Sequence, residues 1–146
     1  MGVYTRYKKS PTGFRQIVEL IETTPMSRRQ KMIDVGMSED PEYTRKVLSF
    51  VLSFSDVIHL PDLELAEVLG SVPGQWIGFS IHNQPKEVQD RFMSQSRPKS
   101  IAEIKEVLED SKVTAFQISA AQSKLIQATR ALEKKGYVKT KSIPSD

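Results

Sequence analysis

Apolar residues return at three- and four-residue intervals along most of the chain, the spacing that lines one face of a helix. Phe14, Ile17, Val18 and Ile21 make the first such stripe, and Tyr43, Val47, Phe50, Val51 and Phe54 a second. Leu65, Val68 and Leu69 follow, then Val88, Phe92 and Met93 ahead of Pro98. Ile101, Ile104, Val107 and Leu108 form another stripe, with Lys99, Glu103, Glu106, Glu109 and Asp110 mostly off it. Ala121, Leu125, Ala128 and Leu132 line a last helix, opened by Ser119 and closed by Lys134-Lys135-Gly136. Serine is a good N-cap, and glycine supplies the left-handed turn that ends a helix. Only Tyr137 to Ile143 alternates as a strand does. The pattern predicts an all-α chain of seven or eight short amphipathic helices with no sheet of consequence.

Prolines punctuate these stripes. Between Pro11 and Pro98 they recur every 12 to 20 residues, one helix and one short connection each time. Proline is tolerated in a first turn, where its missing N–H had no partner. Asp40-Pro41-Glu42 adds an N-cap acceptor and an acidic group at the positive end of the dipole. Asn83-Gln84-Pro85 and Pro61-Asp62-Leu63-Glu64 read similarly. The even spacing suits a stack of helical repeats.

With 146 residues the chain suits one domain or two small ones. It has no cysteine, which excludes disulfides, a thiol nucleophile and Cys-based metal sites. The longest near-apolar run, Val47 to Phe54, is far short of the ~20 residues a bilayer requires. A cytoplasmic protein is the expectation.

The net charge of +3 is unevenly spread. Residues 1–31 carry seven Lys/Arg against two Glu, residues 32–133 ten against fifteen, and residues 134–146 four against one. Basic ends fit nucleic acid, an anionic surface or an acidic protein, or are simply solvated tails. The acidic middle argues against DNA lying across the whole domain.

Catalytic chemistry is poorly supplied. His59 and His82 have no second ligand at i+4 and read as ordinary histidines, with no metal or other cofactor implied. Gly70, Gly74 and Gly78 repeat every four residues, but Pro73 interrupts them. Gly70 reads as a helix stop and Gly74 as a turn. The carboxylates at 103, 106, 109 and 110 read as a solvated face rather than an acid/base pair, which needs a desolvated member. No enzyme is expected.

Two binding readings remain, beside a plain helical-repeat adaptor. In one, Ile118 to Val138 is the recognition helix and wing strand of a winged-helix DNA binder, with Lys124, Gln127 and Arg130 as its only polar readers. The other is a resemblance. In order along the chain, Thr12-Gly13-Phe14, Ser38-Glu39-Asp40-Pro41-Glu42, Val51-Leu52-Ser53-Phe54-Ser55-Asp56-Val57, Leu60, Asp62 and Val68-Leu69, then Ala121-Gln122 and Arg130 to Gly136, resemble the C-terminal part of the flagellar motor switch FliG family. The likeness covers about residues 12–138.

The resemblance implies an armadillo-like helical group over 12–54 and a C-terminal six-helix group over 55–138. A basic tail (1–11) precedes them and a short tail (139–146) follows. Thr12 and Gly13 fall at the family's Gly-Gly linker, and Val51, Leu52, Ser53 and Phe54 at its Met-Phe-Val-Phe hinge. It further implies protein partners: a MotA-like stator, a FliM-like switch protein and other FliG copies in an oligomer or ring. Nucleic acid is not expected, and the location is cytoplasmic or peripheral at the inner membrane. The stator-facing charges carried over by position lie on the 98–110 helix: Lys99 at a family Arg, Glu106 at a family Asp, with Glu103, Glu109, Asp110 and His82 around them. His82, Val107 and Thr114 stand where the family has Lys, Asp and Arg.

Overall fold

The computed structural model describes residues 3–144, and among them it holds ten helices and no strand. In chain order these are α1 (Val3–Lys9), α2 (Gly13–Thr23), α3 (Met26–Glu39), α4 (Pro41–Phe50), α5 (Phe54–Ile58), α6 (Asp62–Gly70), α7 (Gly74–Ile81), α8 (Lys86–Gln95), α9 (Pro98–Glu109) and α10 (Ala115–Lys134).

The helix boundaries follow from who satisfies the end groups. Asp40 caps α4 by accepting from the Tyr43 amide, with Pro41 in the first turn. Pro25, Pro61, Pro73 and Pro85 stand one residue earlier than a first-turn role predicts. Each is the N-cap itself, in extended backbone. A proline there sacrifices no N–H, and its carbonyl accepts the first helical bond, as Pro61 does from Leu65. Asn83 therefore caps nothing. Helix α10 opens before Ser119: the Thr114 hydroxyl accepts from the Gln117 amide, and the Gln117 side chain accepts from the Thr114 amide. This capping box satisfies two end donors at once and moves the start upstream. At the other end Gly136 has φ +88°, Tyr137 N–H donates to Leu132 O and Gly136 N–H to Glu133 O, closing a Schellman turn.

Contacts divide the chain into two units, one up to Leu52 together with the residues from Lys141 onward, the other Ser53–Thr140. In the first unit Tyr4, Ile17, Val18, Ile21, Val47 and Ile143 form the core. Two of these come from stretches read as tails. Residues 3–9 are helix α1, whose Tyr4 is buried and donates its hydroxyl to Met32 O at 2.8 Å. Ile143 is buried too, and Arg15 donates to its carbonyl. Phe14 meets Tyr43 and Phe50 edge to face. Helix α3 has no apolar stripe; of its residues only Gly36 is buried, where a Cβ would lie 2.6 Å from the Tyr4 ring.

The second unit contains α5 to α10. Helix α7 is its centre, with Ile77, Gly78, Ser80 and Ile81 buried beneath α9 and α10. Helices α5 and α6 pack on α10, and α8 on α6. Arg91 on α8 ties the α5–α6 connection down, donating to the carbonyls of Ile58 and Leu60 and to Asp62. The alternation from Tyr137 to Ile143 makes no ladder: Val138 is buried in the second unit and Ile143 in the first. No helix among the described residues is long and apolar enough to cross a membrane.

Candidate partner-binding face

Helix α9 is held at close range by two glycines. A Cβ on Gly74 would lie 3.0 Å from Ser100 O, and a Cβ on Gly78 2.7 Å from Val107 Cβ. Gly74 is not a turn. It is the first residue of α7, since Pro73 begins that helix rather than breaking it. Spaced four apart, the two glycines lie on one face and let the α9 backbone approach. Ser100, Ile104 and Val107 are the buried side of α9.

That packing fixes what α9 presents outward. Lys99, Glu103, Glu106 and Asp110 are all exposed, and their spacing of four, three and four sets them in one row along the helix. Glu109 is exposed on the adjoining flank. None of the four carboxylates is in an ion pair among the described residues; the Asp110 side chain accepts the Lys112 amide. The row borders a groove of about 360 Å³ between α7 and α9, lined by Gln75, Phe79, Glu103, Glu106, Val107 and Asp110. His82 stands at the end of the row, where its Nε2–H donates to Asp110 O at 2.8 Å. The arrangement is an acidic rim over an aromatic floor, with one cation at its start. It suits reversible docking of a cationic surface. No group of three or more His, Asp or Glu among the described residues is placed to hold a metal.

The residues read as a hinge lie at the division between the units. Leu52 and Phe54 are buried, Val51 is half-buried and Ser53 exposed. The Leu52 amide donates to Glu22 Oε2 at 2.7 Å, and Lys141 Nζ donates to Val51 O. Ser53 and Asp56 form the capping box of α5. Glu22 itself is 3% exposed and was not anticipated, although its place four residues after Val18 puts it on the core side of α2. Thr12 accepts from Gln16 Nε2, and Gly13 sits against the backbone of Tyr7, so this pair makes a tight α1–α2 corner.

The DNA-reading face does not assemble. Arg130 is 3% exposed and pairs with Glu133 at 2.9 Å, while Lys124 lies over the Trp76 ring. The buried side of α10 runs through Ala121, Leu125, Ile126, Thr129, Arg130 and Glu133, leaving Ala128 and Leu132 only half-buried. A polar pair at i, i+3 gives no signal of burial in the hydrophobic pattern.

Residues 37–139, more than two thirds of the chain, match the family model described as the FliG C-terminal domain. The chain is 19% identical over 137 residues to the flagellar motor switch protein FliG of Helicobacter pylori, covering 93% of this chain and 40% of that protein. It is 22% identical over 138 residues to the FliG of Thermotoga maritima, covering 94% and 41%. It thus spans about two fifths of the length of these curated relatives. In fold it is similar to a crystal structure of part of H. pylori FliG, with a TM-score of 0.65 at 17% identity, covering 87% of this chain and 60% of that one. It is also similar to full-length FliG from Aquifex aeolicus, at 0.54 and 21%, covering 85% and 39%.

Proposed function

The chain belongs to the FliG C-terminal domain family, and on that premise we propose that it is a non-enzymatic, stator-facing part of a flagellar motor switch. Lys99, Glu103, Glu106, Glu109 and Asp110 are the contact residues, and His82 braces the end of their helix. The observation that carries this is the orientation of α9: Ile104 and Val107 are buried while all five charged side chains face solvent. Exposed charge pairs are individually worth about 0–1 kcal/mol. A contact that must form and break repeatedly needs such weak pairs, which steer encounter without holding the partner. The partner chemistry that fits is a basic segment of a MotA-like stator, with Lys99 meeting an acidic group at the start of the row.

In this reading residues 12–54 act as an armadillo-like group, Val51 to Phe54 as a hinge, and a FliM-like protein and further copies as assembly partners on the cytoplasmic side. Support for the hinge comes from the division of contacts at Leu52 and Ser53. A titration of this chain against the cytoplasmic loop of a MotA-like stator tests the reading. Binding at low salt that is lost on Glu103→Lys/Glu106→Lys, with helix content unchanged, is the expected result. Undiminished binding by that variant overturns it.

A further inference from the structure

Helices α7 and α9 run side by side in the same direction, since Gly74 meets Ser100 and Gly78 meets Ile104 and Val107. Both positive dipole ends therefore open on one place, a groove of about 310 Å³ between the α6–α7 turn and the start of α9. Neither helix has an acidic residue in its first turn or a side-chain cap. The Trp76 amide makes the first bond of α7, to Pro73 O, which leaves the Gly74 and Gln75 amides for an outside acceptor.

Side chains add further donors. Arg97 and Lys99 line the groove, both exposed and neither in an ion pair among the described residues. Ser100 lines it too at 9% exposure, and its hydroxyl has no hydrogen-bond partner among the described residues. The buried hydroxyls of Ser80 and Thr129 donate to carbonyls one turn back, and Ser71 donates to Val68 O. A buried hydroxyl left unmatched is costly, and an acceptor held in the groove removes that cost. Against these donors stands Glu103, one turn beyond Lys99 on the groove's rim, while Arg97 also borders the neighbouring groove that holds Glu64 and Glu67.

We infer that the groove where α7 and α9 begin binds the phosphate group of a small ligand. Arg97 and Lys99 neutralise it, and the Ser100 hydroxyl and the Gly74 and Gln75 amides donate to its oxygens. A tetrahedral anion accepts from all these directions and fills only part of the groove. The rest, with Glu103 on its rim, suits the hydroxyls of a small phosphate ester. The site shares Lys99 with the α9 row yet needs no stator to be occupied, so the two readings fail separately.

The test is a nuclear magnetic resonance titration of the full chain with inorganic phosphate and with glycerol 3-phosphate, at constant ionic strength against chloride. Saturating shifts centred on the amides of Gly74, Gln75 and Lys99 are expected. Tighter binding of glycerol 3-phosphate assigns the site to an esterified phosphate; otherwise it belongs to the free anion. Arg97→Gln, at an exposed position, is expected to weaken binding about tenfold or more, and Ser100→Ala severalfold, with helix content unchanged in both. Lys112→Gln, away from the groove, is expected to bind as the wild type does. Absence of saturable binding overturns the inference. Binding that Arg97→Gln and Ser100→Ala leave intact, or that Lys112→Gln weakens as much as they do, overturns it equally.

Discussion

Gly78 and Val107 pack so closely that a Cβ on the glycine would stand 2.7 Å from the valine Cβ and 3.2 Å from Ile104 O. This one contact sets both the distance between α7 and α9 and the rotation of α9 about its axis. With Val107 turned inward, the row from Lys99 to Asp110 has to face out.

Gly78→Ala is expected to lower unfolding stability by about 1–3 kcal/mol, the usual cost of overpacking a well-filled site. Val107→Ala should not rescue it, because the clash is with a Cβ that alanine keeps. Chemical denaturation of the single and double variants measures this, and full rescue would show that α9 is free to shift.

Arg130→Met is expected to cost about 3–5 kcal/mol, since it removes the cation paired with the carboxylate of buried Glu133. Replacing both partners by apolar residues of similar size should recover most of the loss. A double-mutant cycle on thermal unfolding reads the coupling.

Glu22→Ala removes the acceptor of the buried Leu52 amide and should cost about 1–3 kcal/mol. Glu22→Gln keeps an acceptor oxygen and should cost less. Amide exchange at Leu52 is the direct readout: faster in the alanine variant, near wild type in the glutamine variant.

The Lys8–Asp40 pair makes the first unit sensitive to pH at both extremes. The Lys8 hydrogen bond, then the Tyr43 amide, hold the Asp40 carboxyl below the usual carboxylate range, and the same contact raises Lys8. Asp40's contribution is present above its ordinary pKa and is lost as pH falls through the depressed value. Lys8's contribution is present below its ordinary pKa and is lost as pH rises through the elevated one. Thermal melts of Asp40→Asn should show weaker loss of stability on acidification, and Lys8→Met should flatten the alkaline side.

Much of this was legible in the chain itself. Ile17, Val18 and Ile21, Leu65, Val68 and Leu69, and Ile104 with Val107 all repeat at helical spacing and are all buried. Asp40-Pro41 and Gly136 mark ends by local chemistry alone, and both act as that chemistry requires. What escaped the pattern depends on neighbours distant in sequence. Gly74 looked like a turn because Pro73 stands before it, and only the approach of α9 gives Gly74 and Gly78 a purpose. Tyr4 and Ile143 looked like tail residues because each brings one large side chain to a core assembled elsewhere. Arg130 and Glu133 read as surface charges because a hydrophobic pattern cannot register a buried ion pair. The charged row on α9 was visible as a polar face, but the groove it borders needs α7 beside it.

The stator contact proposed for α9 is tested most directly by exchanging charge across it. Glu106→Lys in this chain is paired with a lysine- or arginine-to-glutamate change in the stator loop, and binding is measured at low salt. The expected result is that each single reversal weakens binding and the pair together restores it. Single reversals that leave binding unchanged, or a loss the paired reversal cannot repair, would contradict a charge contact at this row.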